Sequence, residues 1–205
     1  MTSSPRPPSG TPAPACIAHE LSGAHWVSRF LGSNQTCDLD PAFRIAVEGF
    51  LAALAAAGAR INISSTLRPK ERAYLMHWAH QVCRNGVAPS RVPAMAGVPI
   101  QWVHPTSAGS VSAAAAMAAA FGIGHLCAGV CPALNTLHAT GEAIDMGIDW
   151  SGTLTIRRKD GALARIASAP RTGMNPQLHA VGLGYGVVKF VGGDKDKPHW
   201  STTGH

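Results

Sequence analysis

The chain has 205 residues, 46% of them hydrophobic and 14% charged, with a formal net charge of +6. That length suits one domain with an apolar core, and the basic balance favours polyanionic partners such as bacterial wall polymers. The Lys and Arg residues are scattered apart from Arg157-Arg158-Lys159 and do not interleave with aromatics, which argues against nucleic acid, and no stretch reaches the roughly 18 to 20 apolar residues that span a bilayer.

In chain order, Met1 to Pro14 is rich in Ser, Thr, Pro and Gly and has no apolar segment, so it does not read as a secretory signal peptide. Residues 1–20 are expected to be a disordered leader and residues 21–205 one domain. Asp40-Pro41 opens a helix, an N-cap followed by a proline at the first helical position, and Phe43, Val47, Phe50, Leu51 and Leu54 give it an apolar stripe up to Gly58. Arg60 to Thr66 begins with the alternation of a half-buried strand. Pro69 starts a second helix running to about Val82, with Leu75, Trp78, Ala79 and Val82 inward. Residues 85–106 read as an irregular connection, and Ser110 to Ala120 as a third helix ended by Gly122 and Gly124.

The second half reads as β-rich. Glu142 to Asp149 alternates, with Ile144, Met146 and Ile148 on one face and Ala143, Asp145, Gly147 and Asp149 on the other. Thr153–Arg158 and Ala162–Ala167 flank Lys159-Asp160-Gly161, a hairpin turn. Asn175-Pro176 opens a short helix ending near Gly182, and Gly186 to Val191 is a strand. Helices first and strands later imply an α+β fold with a small, mainly antiparallel sheet and helices packed on one side.

The five cysteines are an odd number. Cys127 and Cys131 are spaced C-x3-C with no further soft ligands nearby, so a disulfide or two buried thiols is expected there rather than a metal site.

The chemistry concentrates in Thr136 to Asp145 and Asp194 to Trp200. His138 sits in a loop entering a strand, and Asp145 lies on the strand face opposite the apolar residues. Gly141 permits a bend that brings the two together. His199 can supply a third ligand. Two imidazoles and a carboxylate suit zinc and leave the fourth tetrahedral position to water, whose pKa the ion lowers toward ~7. Asp196, three residues before His199, is the candidate general base, with Asp194 as rival.

Thr136-x-His138-x-x-Gly141-x-Ala143-x-Asp145, followed by Asp196-x-x-His199-Trp200, resembles the motifs of the zinc peptidases that include D-alanyl-D-alanine carboxypeptidases, D-Ala-D-Ala dipeptidases and phage L-alanyl-D-glutamate endolysins. Ser65-Thr66-Leu67-Arg68-Pro69 is similar to that family's Ser-x-Tyr-Arg-Ser/Pro stretch. The resemblance spans about residues 40–201. It implies a hedgehog/D-Ala-D-Ala peptidase-like fold with a zinc cleft across the sheet. It implies zinc on His138, Asp145 and His199, catalysis by Asp196 and Arg68, and substrate contacts from Arg68, Thr136 and Trp200. Thr136 stands where the family has Ser, Leu67 where it has an aromatic, and Asp196 where the carboxypeptidases have Glu; the last tilts the reading toward an endopeptidase.

The implied substrates are peptidoglycan stem peptides. The stretches Arg72 to Trp78 and Pro198 to Ser201 are also similar to peptidases found with type VI secretion spike proteins. This implies an antibacterial effector or lysin made in the cytoplasm and acting in the periplasm or wall, with a spike protein and an immunity protein as partners. The alternatives are a D,D-carboxypeptidase or dipeptidase of wall metabolism, and a non-catalytic wall-binding domain with structural zinc.

The remaining candidates have plainer readings. His77 and His80 are expected to cover a helix surface, His179 to be structural and His205 to be mobile. Glu142 and Asp149 read as solvated, and Trp200 either walls the cleft or fills core.

Overall fold

A computed structural model describes residues 19–205; Cys16 and nearly all of the expected leader lie outside them. The elements are β1 (Glu20–Leu21), α1 (Pro41–Ala56), β2 (Arg60–Ser65), α2 (Lys70–Arg84), β3 (Ile100–Gln101), α3 (Ser107–Ala120), β4 (Ala143–Asp149), β5 (Leu154–Arg157), β6 (Leu163–Ile166), α4 (Pro176–Tyr185), β7 (Val188–Lys189) and β8 (His199–Ser201). Short 3-10 turns at Leu137–Ala139 and Gly193–Asp196 precede β4 and β8. The fold is α+β. Its main sheet, ordered β2-β4-β8-β7, is antiparallel throughout. β5 and β6 form a separate hairpin across the turn expected at Lys159-Asp160-Gly161, and β1 and β3 pair in parallel. Glu20 is thus already engaged, opposite Ile100.

α1 forms where its caps and stripe place it. Asp40 Oδ1 accepts from the backbone N–H groups of Ala42 (2.9 Å) and Phe43 (3.1 Å), with Pro41 in the first turn. Phe43, Val47, Phe50 and Leu54 then lie buried against Ile144, Met146, Ile148 and Trp200 of the sheet. α4 packs on the same core through Leu178 and Val181. It runs three residues beyond the expected end at Gly182, to Tyr185, and stops at Gly186 with φ 90°. Gly182 is a packing glycine rather than a stop: a Cβ there would stand 2.8 Å from Val187 O and 2.9 Å from Trp200 Cζ3.

The helices divide between two cores, which corrects the expectation that all would pack on one side of the sheet. α2 and α3 build the second, with Trp26, Leu75, Ala79, Trp102 and Met117 at its centre. Amphipathic helices need an apolar partner, and these two find it in each other and in the segment around Trp26. Among the described residues, no helix is long and apolar enough to cross a membrane.

Candidate metal centre

The register of β4 on β8 sets the centre. Asp145 stands directly opposite His199, and Ile144 directly opposite Trp200. Because side chains alternate across a strand, Asp145 and His199 share one face while Ile144 and Trp200 share the other, which is the core. His138 arrives from the 3-10 turn, where Thr136 Oγ1 accepts from the His138 backbone N–H at 3.3 Å. Gly141 turns the chain back with φ 73°, and a Cβ there would meet Asp40 N at 2.7 Å. Only glycine satisfies both conditions.

His138, Asp145 and His199 bring one ligand atom each to within 4.8 Å of one another, and this group could hold a metal ion. His138 Nε2 and His199 Nδ1 each lie 3.1 Å from Asp145 Oδ1. Ligands about 2.0–2.2 Å from a tetrahedral ion stand about 3.3 Å apart, close to both of these distances to Asp145 Oδ1.

The opposite ring nitrogens test the fit. His138 Nδ1 donates to Thr66 O at 3.0 Å and His199 Nε2 donates to His205 O at 3.1 Å. A carbonyl only accepts, so both protons are committed outward and the inner nitrogens of the neutral rings present lone pairs toward a carboxylate. Three acceptors facing one another call for a cation, supplied either by protonating the rings or by a metal. Carbonyl partners behind ligating imidazoles are also the usual outer support of a metal site. Burial alone would raise the Asp145 carboxyl, but the hydrogen bonds and charge of His138 and His199 outweigh it and hold it well below the usual carboxylate range.

No protein-family model matches the chain, and no curated protein matches it.

Arg68 Nη2 stands 3.6 Å from Asp145 Oδ2, and the Arg68 backbone N–H donates to His138 O at 3.0 Å, which ties the start of α2 to the 3-10 turn. Asp196 Oδ2 lies 4.0 Å from His199 Nδ1 on a half-exposed side chain. Burial, and then the negative charge of Asp145, push its carboxyl up. Asp194 is exposed and makes no ion pair with this group among the described residues.

Several sequence readings change. Trp200 is fully buried against Phe50 and cannot wall the cleft or touch a substrate, because it points to the core face of β8. Thr136, whose expected role is a substrate contact, is half-exposed and also caps the His138 turn. His80 is fully buried and not a surface residue, while His77 Nδ1 donates to Pro132 O at 2.8 Å. Cys127 is exposed, Cys131 is half-buried and both are free, so neither a disulfide nor a pair of buried thiols forms. His205 is held at its carbonyl by His199 and by Ser201 Oγ (3.2 Å).

One residue of the site escaped the sequence reading. Lys189 is buried, and its Nζ donates to Lys197 O (2.5 Å), His199 O (2.9 Å) and Asp196 O (3.4 Å). It fastens the loop that carries Asp196 and His199. The available signal was a single Lys in the otherwise apolar run Val187-Val188-Lys189-Phe190-Val191.

Proposed function

We propose that this chain is a zinc-dependent peptidase of hedgehog/D-Ala-D-Ala peptidase-like fold, hydrolysing an amide bond in the peptidoglycan stem peptide or cross-link, as an endopeptidase. The observation that carries the reading is the convergence of His138 Nε2, Asp145 Oδ1 and His199 Nδ1, with both imidazole protons committed to backbone carbonyls on the far side. The motif resemblance supplies the substrate class. Zinc bound there would polarise the scissile carbonyl and acidify a water.

The chain's own groups fill the other roles. Asp196 Oδ2, 4.0 Å from His199 Nδ1, accepts the proton of the attacking water and returns it to the leaving amine. Arg68 keeps N–H groups free beyond its contact with Asp145 and steadies the oxyanion as charge develops. Lys189 fixes the backbone that runs from Asp196 to His199. The remainder of the proposal is an antibacterial effector or lysin that reaches the wall through a secretion spike or lysis and is countered by an immunity protein.

The test is elemental analysis of the purified protein together with digestion of purified sacculi. One zinc per chain is expected, with digestion lost on chelation and in His138→Ala and Asp196→Ala. Digestion by either variant at the wild-type rate rejects the assignment. Mass spectrometry of the fragments separates cuts within the stem from the trimming of a terminal D-Ala.

A further inference from the structure

A recess of about 480 Å³ adjoins the metal centre, its polar wall formed by Ser33, Asn34, Ser64, Ser65, Arg68 and Arg72. Its volume falls in the range of small-ligand sites. Arg68 belongs to both places, since it lines the recess and its guanidinium reaches Asp145. Arg72 is held rigidly. Its Nη1 donates to Val27 O (3.0 Å) and Phe30 O (3.2 Å), and its guanidinium carbon lies 4.8 Å from the centre of the Phe121 ring. Those bonds engage one nitrogen of three.

No Asp or Glu lines the recess, and among the described residues no carboxylate lies within ion-pair distance of Arg72. Burial and the neighbouring charge of Arg68 both disfavour the Arg72 cation. The recess is therefore lined by two half-buried arginines, and Arg72 has no counter-charge among the described residues. A fixed, partly desolvated pair of this kind suits a bidentate anion.

We propose that the recess is a carboxylate subsite, in which Arg72, with Arg68, holds a carboxylate carried by the peptide next to the scissile bond. The identity of the ligand as a peptide rests on the proposed function; the preference for a carboxylate rests on the recess alone. The carboxylate belongs either to a side chain or to the peptide terminus.

Two measurements separate this inference from the reaction itself. In the first, the zinc-loaded full chain is titrated with glutarate while the Nε–Hε resonances of Arg68 and Arg72 are followed. A saturable shift at Arg72 that persists after chelation is expected, and no shift overturns the subsite while leaving zinc uptake and cleavage to stand or fall separately. In the second, stem peptides with free, side-chain-amidated or terminally amidated carboxylates are compared by KM and kcat. One of the two amidations is expected to raise the wild-type KM about tenfold or more, which identifies the source. The same amidation should change the KM of Arg72→Gln less than about twofold. Arg72→Lys, which keeps a cation and a donor for Val27 and Phe30, covers the case in which Arg72→Gln fails to fold, and it should show an intermediate penalty because a point charge lacks the fork. Equal penalties in wild type and both variants, or no penalty from either amidation, overturn the proposal.

Discussion

Zinc added to the chelated protein is expected to raise its melting temperature by several degrees, and His138→Ala to abolish that rise. An ion that binds only the folded chain stabilises it by about 2.7 kcal/mol at a hundredfold excess over Kd and about 4.1 kcal/mol at a thousandfold excess. For a chain of 205 residues each kcal/mol moves the midpoint by roughly 2–4 °C, so the expected rise is about 5–16 °C. Removing the His138 imidazole leaves Asp145 and His199 alone on the ion, and the shift should fall below about 2 °C. Asp196→Ala removes a carboxylate that stands outside the donor set and should keep the full shift. Without the ion, the two 3.1 Å contacts to Asp145 Oδ1 each require a proton on the facing imidazole nitrogen. Zinc uptake therefore expels protons, and the shift should shrink as the solution is acidified. Differential scanning fluorimetry with and without zinc, on the wild type and both variants, measures all of this. A rise of equal size in His138→Ala would place the ion elsewhere and refute the donor set.

Three further outcomes follow from individual residues. Asp196→Ala should retain one zinc per chain yet lose about 10²–10⁴-fold in sacculus digestion. Gly141→Ala combines a positive φ with a Cβ against Asp40 N, and should cost about 1–3 kcal/mol in denaturant unfolding and weaken zinc uptake. Lys189→Met strands three carbonyls and should cost about 1–3 kcal/mol at neutral pH. Burial pushes the Lys189 ammonium down to about 8. The unfolded chain then binds the extra proton between about 8 and about 10.4, so this group's contribution to wild-type stability rises with pH across that window, and the variant should lack that rise when denaturant midpoints at its two ends are compared.

The parts of the site that were legible in the sequence are those whose signal is local. The alternation of Ile144, Met146 and Ile148 turned Asp145 away from the core, and Asp40-Pro41 marked the first turn of α1. The same period of two, applied to His199-Trp200, puts Trp200 in the core once His199 is in the cleft, so that misreading was avoidable. The pairing of Asp145 with His199 was not legible, because register is fixed by tertiary contacts between segments far apart in the chain. Nor were Thr66 and His205, which act through carbonyls that every residue carries. The apolar stripe of α2 showed that the helix has an inward face but not that α3, rather than the sheet, would cover it.

The register that forms the candidate site is also the register that forms the core. A slip of one residue between β4 and β8 flips one strand against the other: it would turn either His199 inward and Trp200 outward, or Asp145 inward and Ile144 outward, and Ile144 and Trp200 are both fully buried. Burying such side chains stabilises by about 1.5–3 kcal/mol each, and Met146 and Ile148 of the same strand add to it. Hydrophobic contact, rather than the ion, therefore holds the carboxylate and the second imidazole together. His138 is positioned independently of both, by Gly141 and by the bond from Arg68 N to His138 O. The chelated protein should accordingly remain folded, unlike small domains that owe their structure to zinc. A melting curve that loses its cooperative transition on chelation would show that the ion, and not the core, sets this register.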